Sequence, residues 1–328
     1  MSVYFTHQSA LSFWRRYREF RHCRPMAVRA DQYAGVAPSL LEIRDAAHVA
    51  LPADDELHVS VPEGARRAKA QGLMRHRWHR GGERGSYVRV LKGVYVSSPA
   101  MLFLELAPEL RLEHLVELGY ELCGGFTYSR GSGFCPCLPA VAPATLERFA
   151  RAAVRSRGRE KAVRAASLVL AGAASPREAH VAMLLTLPPR LGGYGLRRPE
   201  LNGVVLLDEA SRRILGKRSL RCDLLWSQAN VALEYESDQF HAGLPAYVAD
   251  SKRRNVLKHL GIDVITLTNA EIKSEAAMDG LASGLARALG QRVRGSQPQG
   301  QMAKGRLRGL LLDARQRAGA AHLLRADG

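Results

Sequence analysis

The chain has 328 residues, of which 48 are Lys or Arg and 31 are Asp or Glu, giving a formal net charge of +17. Its hydrophobic fraction of 46% excludes a wholly disordered chain. No stretch reaches the roughly 18 uninterrupted apolar residues of a transmembrane helix. The basic excess favours a polyanionic partner, with DNA first and an anionic membrane surface second. An arginine-rich codon bias is the alternative, although it does not by itself create net charge.

The cysteines are sparse and odd in number, which is typical of a protein kept in a reducing compartment. They are Cys23, Cys123, Cys135, Cys137 and Cys222. Three of them are close in sequence but have no fourth ligand at zinc-finger spacing, so a zinc site is only weakly indicated. Residues 1–24 contain aromatics and arginines rather than an apolar signal core. We therefore expect a cytoplasmic protein without a membrane partner.

Composition and pattern divide the chain into four segments. Residues 1–98 read as an N-terminal α+β region and 99–172 as a helical region that starts at Ser98-Pro99 and ends in a long basic helix over 144–170. Residues 173–272 form an α/β unit of typical domain size. Residues 273–328 form a basic C-terminal helix and tail, suited to DNA or a protein partner, or merely solvated.

The third segment alternates helical and extended patterns in a defined order. The pattern predicts helix, strand, strand, strand, helix, strand. The corresponding ranges are 175–187, 201–207, 220–226, 230–236, 246–260 and 262–268.

Acidic residues interrupt two neighbouring, otherwise apolar strands of this segment. Asp223 lies inside the second strand, and Glu234 and Glu236 end the third, on one face because strand side chains alternate. A hairpin through 227–230 would bring Asp223 near Glu234. Clustered carboxylates repel unless a cation lies between them, and a site with only oxygen ligands favours Mg²⁺ or Mn²⁺.

Two purely structural interpretations remain open. Glu234 and Glu236 would then lie on a solvated strand face, with Asp223 paired to Arg221 or Arg254. Glu178 lies three residues after Ser175, a capping-box spacing that explains this glutamate without a site.

The following helix and its preceding loop add polar groups. Asp250 and Arg254 are four residues apart and fit an intrahelical ion pair. Lys252 and Arg253 make the neighbouring faces basic, where they could meet phosphates. His241 could transfer protons near neutral pH, although a solvated loop histidine is the commoner case.

Together these residues resemble a known family. The pattern comprises Arg221-x-Asp223-Leu224, 234–241, Asp250-x-x-x-Arg254 and 261–268. It is similar to the very-short-patch-repair-like (Vsr-like) endonuclease domains of the PD-(D/E)XK superfamily, including their Ser-x-x-Glu helix start at Ser175 and Glu178. The region from Ser98-Pro99 to Cys123 resembles proteins related to AbiEi-type antitoxins.

This resemblance implies a restriction-endonuclease-like fold, a mixed sheet flanked by helices, and Mg²⁺-dependent DNA cleavage. Asp223, Glu234 and Glu178 would hold the metal, Glu236 would complete its shell or orient the attacking water, and His241 would act beside them. Phosphate contacts would come from Arg254, Lys252, Arg253 and Arg221. The sequence departs from the family at Glu236, Ser237 and Phe240, where Asp, Gly and His are usual, and the superfamily lysine is replaced by Glu236.

Two functional hypotheses follow. The first is a Mg²⁺- or Mn²⁺-dependent DNA endonuclease, in a defence or mobile-element setting. The second is a DNA-binding regulator of the antitoxin kind that uses the nuclease fold as a scaffold. Recruitment of the basic tail to a membrane surface is a third and weaker alternative.

Overall fold

The computed structural model describes residues 2–19, 37–51, 56–62, 70–77, 85–129, 133–236, 244–292 and 298–312, the last two ranges without the side chains of 244–248 and 298–299. The chain divides into two compact units, one running to Ala171 and one starting at Gly172. Each unit contains helices and a mixed sheet, so the general α/β class is confirmed.

The elements of the first unit are β1 Val3–Phe5, α1 His7–Glu19, α2 Leu40–Ala50, β2 Leu57–Val61, β3 Leu73–Arg77, β4 Tyr87–Leu91, β5 Val94–Ser97, α3 Pro99–Leu106, α4 Leu112–Cys123, β6 Phe126–Ser129, β7 Gly133–Pro136, α5 Pro143–Ala152 and α6 Arg159–Ala166. Those of the second unit are α7 Pro176–Thr186, β8 Glu200–Leu206, α8 Glu209–Leu215, β9 Ser219–Trp226, β10 Val231–Glu236, α9 Leu244–His259, β11 Asp263–Thr268, α10 Asn269–Lys273, α11 Glu275–Ala288 and α12 Pro298–Leu312.

The main sheet of the first unit has the order β3-β2-β1-β5-β4. β1 pairs parallel with β5 and antiparallel with β2, and β2 pairs parallel with β3. All three residues of β1 are buried, as expected for the central strand of a covered sheet. The Trp14 indole of α1 donates a hydrogen bond to the Ser97 carbonyl at 2.8 Å, which ties this helix to β5.

The helical part of this unit starts where the sequence predicts. Ser98 caps α3 by accepting a hydrogen bond from the Met101 N–H, with Pro99 at the first position. The single basic helix predicted over 144–170 is wrong, because α5 and α6 are separate. Gly158 precedes α6 at a φ of 79°, and a Cβ there would lie 2.8 Å from Pro108, so glycine is required at the break. A two-stranded β6–β7 sheet also lies within this region.

The four-stranded sheet of the second unit has the order β11-β10-β9-β8. β8, β9 and β10 are antiparallel neighbours, and β10 pairs parallel with β11 through the α9 crossover. The short helix α8 between β8 and β9 is absent from the predicted order. Asp208 caps α8 by accepting from the Ser211 N–H at 2.8 Å.

One buried cluster of the second unit lies between the sheet and α9. The buried cluster joins strand residues to the two helix positions Val256 and Leu257. The strand members are Leu220, Cys222, Leu225 and Ala232. Gly261 follows this helix with a φ of 75°, and its N–H donates to the Lys258 carbonyl.

The described part of the basic C-terminal segment packs inside the unit. Leu307 and Leu311 of α12 are 1% exposed. Lys304 pairs with Asp279 at 2.8 Å, and Arg308 donates to the carbonyls of Ile272 and Lys273. These two basic residues therefore serve packing, while 313–328 lie outside the described residues. Among the helices that the structure describes, none has both the length and the apolar character needed to cross a bilayer.

Candidate metal centre

Asp223 occupies a break in the pairing of β9 with β10. The regular register ends at Leu224 opposite Leu233. Beyond it, the Tyr235 backbone N–H donates to the Asp223 Oδ2 at 2.8 Å, so a carboxylate takes the place of a strand carbonyl. This contact fixes Asp223 beside the end of β10, on the adjoining antiparallel strands that the hairpin spacing predicts.

The surroundings of Asp223 oppose its ionisation. Burial raises the pKa of Asp223 from its ordinary 3.8 to about 7, and the charges of Glu178 and Glu234 add to that rise. The Tyr235 N–H and Arg253 act in the opposite direction without cancelling it. The carboxylates of Glu178 on α7 and Glu234 on β10 thus repel the charge of Asp223 on β9. A cation bound between them would reduce this repulsion.

Glu234 is held by a basic partner from α9. Arg253 Nη2 lies 2.8 Å from the Glu234 Oε1, with side-chain exposures of 26% and 15%. The same guanidinium also donates to the Arg221 carbonyl. Burial, followed by the charge of Glu234, raises the pKa of the neighbouring Cys222 thiol to about 12, so this cysteine stays protonated at neutral pH.

Glu178 is 8% exposed and its carboxylate accepts several hydrogen bonds. The Ser175 hydroxyl donates to Oε1 at 2.8 Å, while the Ala174 N–H donates to Oε2 at 2.8 Å. The Ser175 oxygen in turn accepts from the Glu178 N–H, which is the first half of the predicted capping box, while the reciprocal bond to the Glu178 carboxylate comes from the Ala174 N–H. Glu178 therefore takes part in the cap of α7 and also acts electrostatically on Asp223.

Asn202 is a member of this cluster that the sequence pattern missed. Its side-chain amide donates to the Glu178 Oε2 at 2.6 Å and to the Gly172 carbonyl at 2.9 Å. Asn202 lies in β8 with a φ of 51°, a conformation that asparagine tolerates better than most residues. In the sequence, Asn202 is marked only as a polar residue inside a predicted strand. That position does not indicate a contact with Glu178 on a distant helix.

The remaining predicted site residues are more widely distributed. Glu236 ends β10, half-buried and opposite Thr268 of β11. Arg254 forms the predicted ion pair with Asp250 at 2.8 Å on the exposed side of α9. The Arg221 side chain is exposed. His241 lies outside the described residues, as do Ser237 and Phe240.

Lys252 and Arg253 line a cavity of about 410 Å³, and Arg253 is also the residue that pairs with Glu234. Lys217, which the sequence did not single out, also lines it, and Asp250 adds one acid. The side chains at this cavity therefore carry three positive charges against one negative charge, which suits an anionic group.

The carboxylates are not arranged as a preformed cage. Among the described residues, a set of three metal-ligating groups with all donor atoms within 4.8 Å occurs at His7, His76 and Glu109 of the first unit, and not at Glu178, Asp223 and Glu234. A cation at the carboxylates therefore requires their side chains to move closer, including the release of Glu234 from Arg253.

Comparison of the chain with protein-family models, curated proteins and solved structures gives no match.

Proposed function

We propose that the protein is a DNA endonuclease that uses Mg²⁺ or Mn²⁺ held by Asp223, Glu234 and Glu178. The observation that carries this proposal is the position of Asp223, whose pKa is raised to about 7 by its burial first and by the charges of Glu178 and Glu234 next. A divalent cation is the partner that would allow Asp223 to ionise beside the other two acids. Their oxygen-only chemistry fits Mg²⁺ better than zinc.

Each carboxylate has a separate support that would position it for such a cation. The Tyr235 N–H holds Asp223, and the cap of α7 together with Asn202 holds Glu178. A bound Mg²⁺ polarises a phosphodiester and lowers the pKa of bound water. Glu236, at the end of the same strand as Glu234, would orient the attacking water, and His241 would act as a proton-transfer group.

The Arg253 side chain can serve two partners, Glu234 in the absence of a cation and a DNA phosphate in its presence. Without a cation it neutralises Glu234 at 2.8 Å. When Glu234 turns toward a cation, the guanidinium becomes available for a DNA phosphate at the cavity that Lys217 and Lys252 also line. Arg221 and Arg254 lie on exposed positions and would extend the phosphate contacts. The net charge of +17 supports DNA as the partner.

The restriction-endonuclease-like and Vsr-like assignments belong to this proposal. A helix bearing Glu178, a mixed four-stranded sheet and the α9 crossover support them. The first unit would add DNA contacts or bind a protein partner, in keeping with the AbiEi-like resemblance of its helical part.

A DNA-binding regulator without nuclease activity is the second candidate. It is favoured by the Arg253–Glu234 ion pair and by the hydrogen bonds that already satisfy Glu178. In that case the carboxylates only stabilise the fold, and the basic residues alone bind DNA.

A plasmid assay tests the first candidate against the second. The full chain is incubated with supercoiled DNA and Mg²⁺, beside EDTA, Asp223→Asn and Glu209→Gln, the last a control acid that is 80% exposed on α8. The endonuclease proposal expects Mg²⁺-dependent nicking that Asp223→Asn abolishes and Glu209→Gln retains. Salt-sensitive DNA binding without strand breaks supports the regulator instead.

A further inference from the structure

A second set of ligating side chains lies in the first unit. His7 begins α1, His76 is on β3, and Glu109 follows α3. One donor atom from each lies within 4.8 Å of the other two. The His7 Nε2 is 3.6 Å from the Glu109 Oε1, with side-chain exposures of 12% and 39%. The cluster is therefore enclosed on the histidine side and open to solvent on the carboxylate side.

The strand order explains how distant positions meet. β2 lies between β1 and β3, and its Ser60 is in register with His76. His58, two residues before Ser60, lies on the same face as His76 because strand side chains alternate. The His58 Nδ1 is 2.9 Å from the His76 Nε2. His7, two residues beyond the end of β1 and at the start of α1, brings a third imidazole beside these two.

Hydrogen bonds hold His7 in an unusual backbone conformation. Its φ is 46°, in the left-handed region that few residues other than glycine adopt. Its N–H donates to the Glu105 Oε2 at 3.2 Å, and Ser97 donates to the other oxygen of that buried carboxylate at 2.9 Å. The His7 Nδ1 lies 3.1 Å from the Thr6 hydroxyl, which leaves Nε2 directed toward Glu109. Support of this kind is what orients a metal-ligating histidine.

We propose that His7, His76 and Glu109 form a binding site for a zinc-class transition-metal ion, with His58 as a fourth ligand. Two or three imidazoles with one carboxylate are a ligand set that zinc accepts, unlike the oxygen-only set of the second unit. Tetrahedral zinc places its ligand atoms about 3.3 Å apart, close to the 3.6 Å between His7 and Glu109. The site is separate from the proposed nuclease centre and does not depend on it.

Metal binding requires one defined rearrangement. The rings of His7 and His76 are stacked, with centroids 3.5 Å apart and planes at 12°. An imidazole lone pair lies in the ring plane, so two stacked rings cannot direct their nitrogens at one ion. The His76 ring must turn out of the stack, so that its donor nitrogen, already within 4.8 Å of the His7 and Glu109 donor atoms, points at the same ion.

The test is metal titration of the full chain after removal of bound metal with a chelator. Zn²⁺ binding is measured by competition with a chromogenic chelator, and Co²⁺ is used as a spectroscopic probe for tetrahedral coordination. The proposal expects one equivalent of Zn²⁺ per chain and intense visible Co²⁺ bands. Glu109→Gln and His76→Gln should each weaken Zn²⁺ binding at least tenfold.

Matched variants make the result decisive. His48→Gln changes an exposed histidine of α2 outside the cluster, so it should retain the affinity. Glu109 is 39% exposed, so its variant should remain folded even if a histidine variant does not. Equal Zn²⁺ affinity in the parent chain, Glu109→Gln and His48→Gln would overturn the proposal, as would the absence of the Co²⁺ bands.

Discussion

The Tyr235 backbone N–H donates a 2.8 Å hydrogen bond to the carboxylate of Asp223, in place of the next rung of the β9–β10 ladder. A side chain thereby satisfies a strand N–H and is held at the junction of two strands. The same carboxylate is buried and near Glu178 and Glu234, so it is held where its negative charge is least favourable. This relationship links the local backbone irregularity to the proposed metal chemistry.

The first prediction concerns the free energy of unfolding as a function of pH. Because the folded-state pKa of Asp223 is about 7 against an ordinary 3.8, the folded chain holds this proton more tightly than the unfolded chain. Stability from this residue is present in full at low pH and is lost as the pH rises through about 4 to 7. We expect Asp223→Asn to stabilise the metal-free protein at pH 8 by on the order of 1–3 kcal/mol, and little at pH 4.

Urea unfolding of the parent and Asp223→Asn chains at the two pH values, in EDTA, measures this difference. Asparagine retains an oxygen that can accept from the Tyr235 N–H, so the variant isolates the charge. Destabilisation by Asp223→Asn at pH 8 would contradict the account.

The second prediction concerns the Arg253–Glu234 ion pair. Both side chains are largely buried, so removing one leaves a poorly solvated charge. We expect Arg253→Gln to destabilise the protein by about 1–3 kcal/mol, with a double-mutant coupling to Glu234→Gln of about 1–2 kcal/mol. The exposed Arg254–Asp250 pair is the matched control, with a coupling of at most about 0.5 kcal/mol. Equal coupling energies for the two pairs would contradict the expectation that burial strengthens the Arg253–Glu234 ion pair.

The third prediction separates the two interpretations of Glu178. Ser175→Ala removes the hydroxyl that accepts from the Glu178 N–H and donates to the Glu178 carboxylate, so it should cost about 1 kcal/mol of stability and reduce Mg²⁺-dependent nicking without abolishing it. Glu178→Gln removes the charge beside Asp223, so it should lower the pKa of Asp223 and abolish nicking. The pKa is followed by NMR titration of the Asp223 carboxyl carbon. If Glu178→Gln does not change the nicking rate, Glu178 has no role in the metal site and only caps α7.

The fourth prediction concerns phosphate contacts at the basic cavity. If Lys217 and Lys252 each neutralise one DNA phosphate, the double variant Lys217→Gln/Lys252→Gln should reduce the slope of log K against log salt by about 1.8. Fluorescence anisotropy with a DNA duplex over a salt series measures this slope. Lys273→Gln, an exposed lysine on α10, is the control. An unchanged slope in the double variant would show that DNA phosphates do not contact Lys217 and Lys252.

The sequence predicted part of the candidate site because the relevant contacts are local. Asp223 and Glu234 are on strands joined by a short turn, and strand alternation indicates which side chains can meet. The intrahelical Asp250–Arg254 pair follows from helical spacing in the same way. By contrast, the contact of Asn202 with Glu178 depends on how β8 passes α7, which no local pattern encodes.

The cluster of His7, His76 and Glu109 could not be predicted from local sequence patterns either. Its members are separated by long stretches of chain and meet only in the folded unit, where β3, the start of α1 and the segment after α3 come together. Strand order depends on tertiary packing, so three isolated histidines give no signal in sequence. The break between α5 and α6 was missed for a related reason, since it depends on the close approach of Gly158 to Pro108.

Diffraction from crystals soaked in Mn²⁺, recorded at the manganese absorption edge, tests the central claim most directly. The account predicts an anomalous peak between Asp223 and Glu234, within bonding distance of Glu178 or its bound water, with Arg253 displaced from Glu234. A chain that remains without a peak there at saturating Mn²⁺, with the 2.8 Å Arg253–Glu234 pair intact, would contradict it.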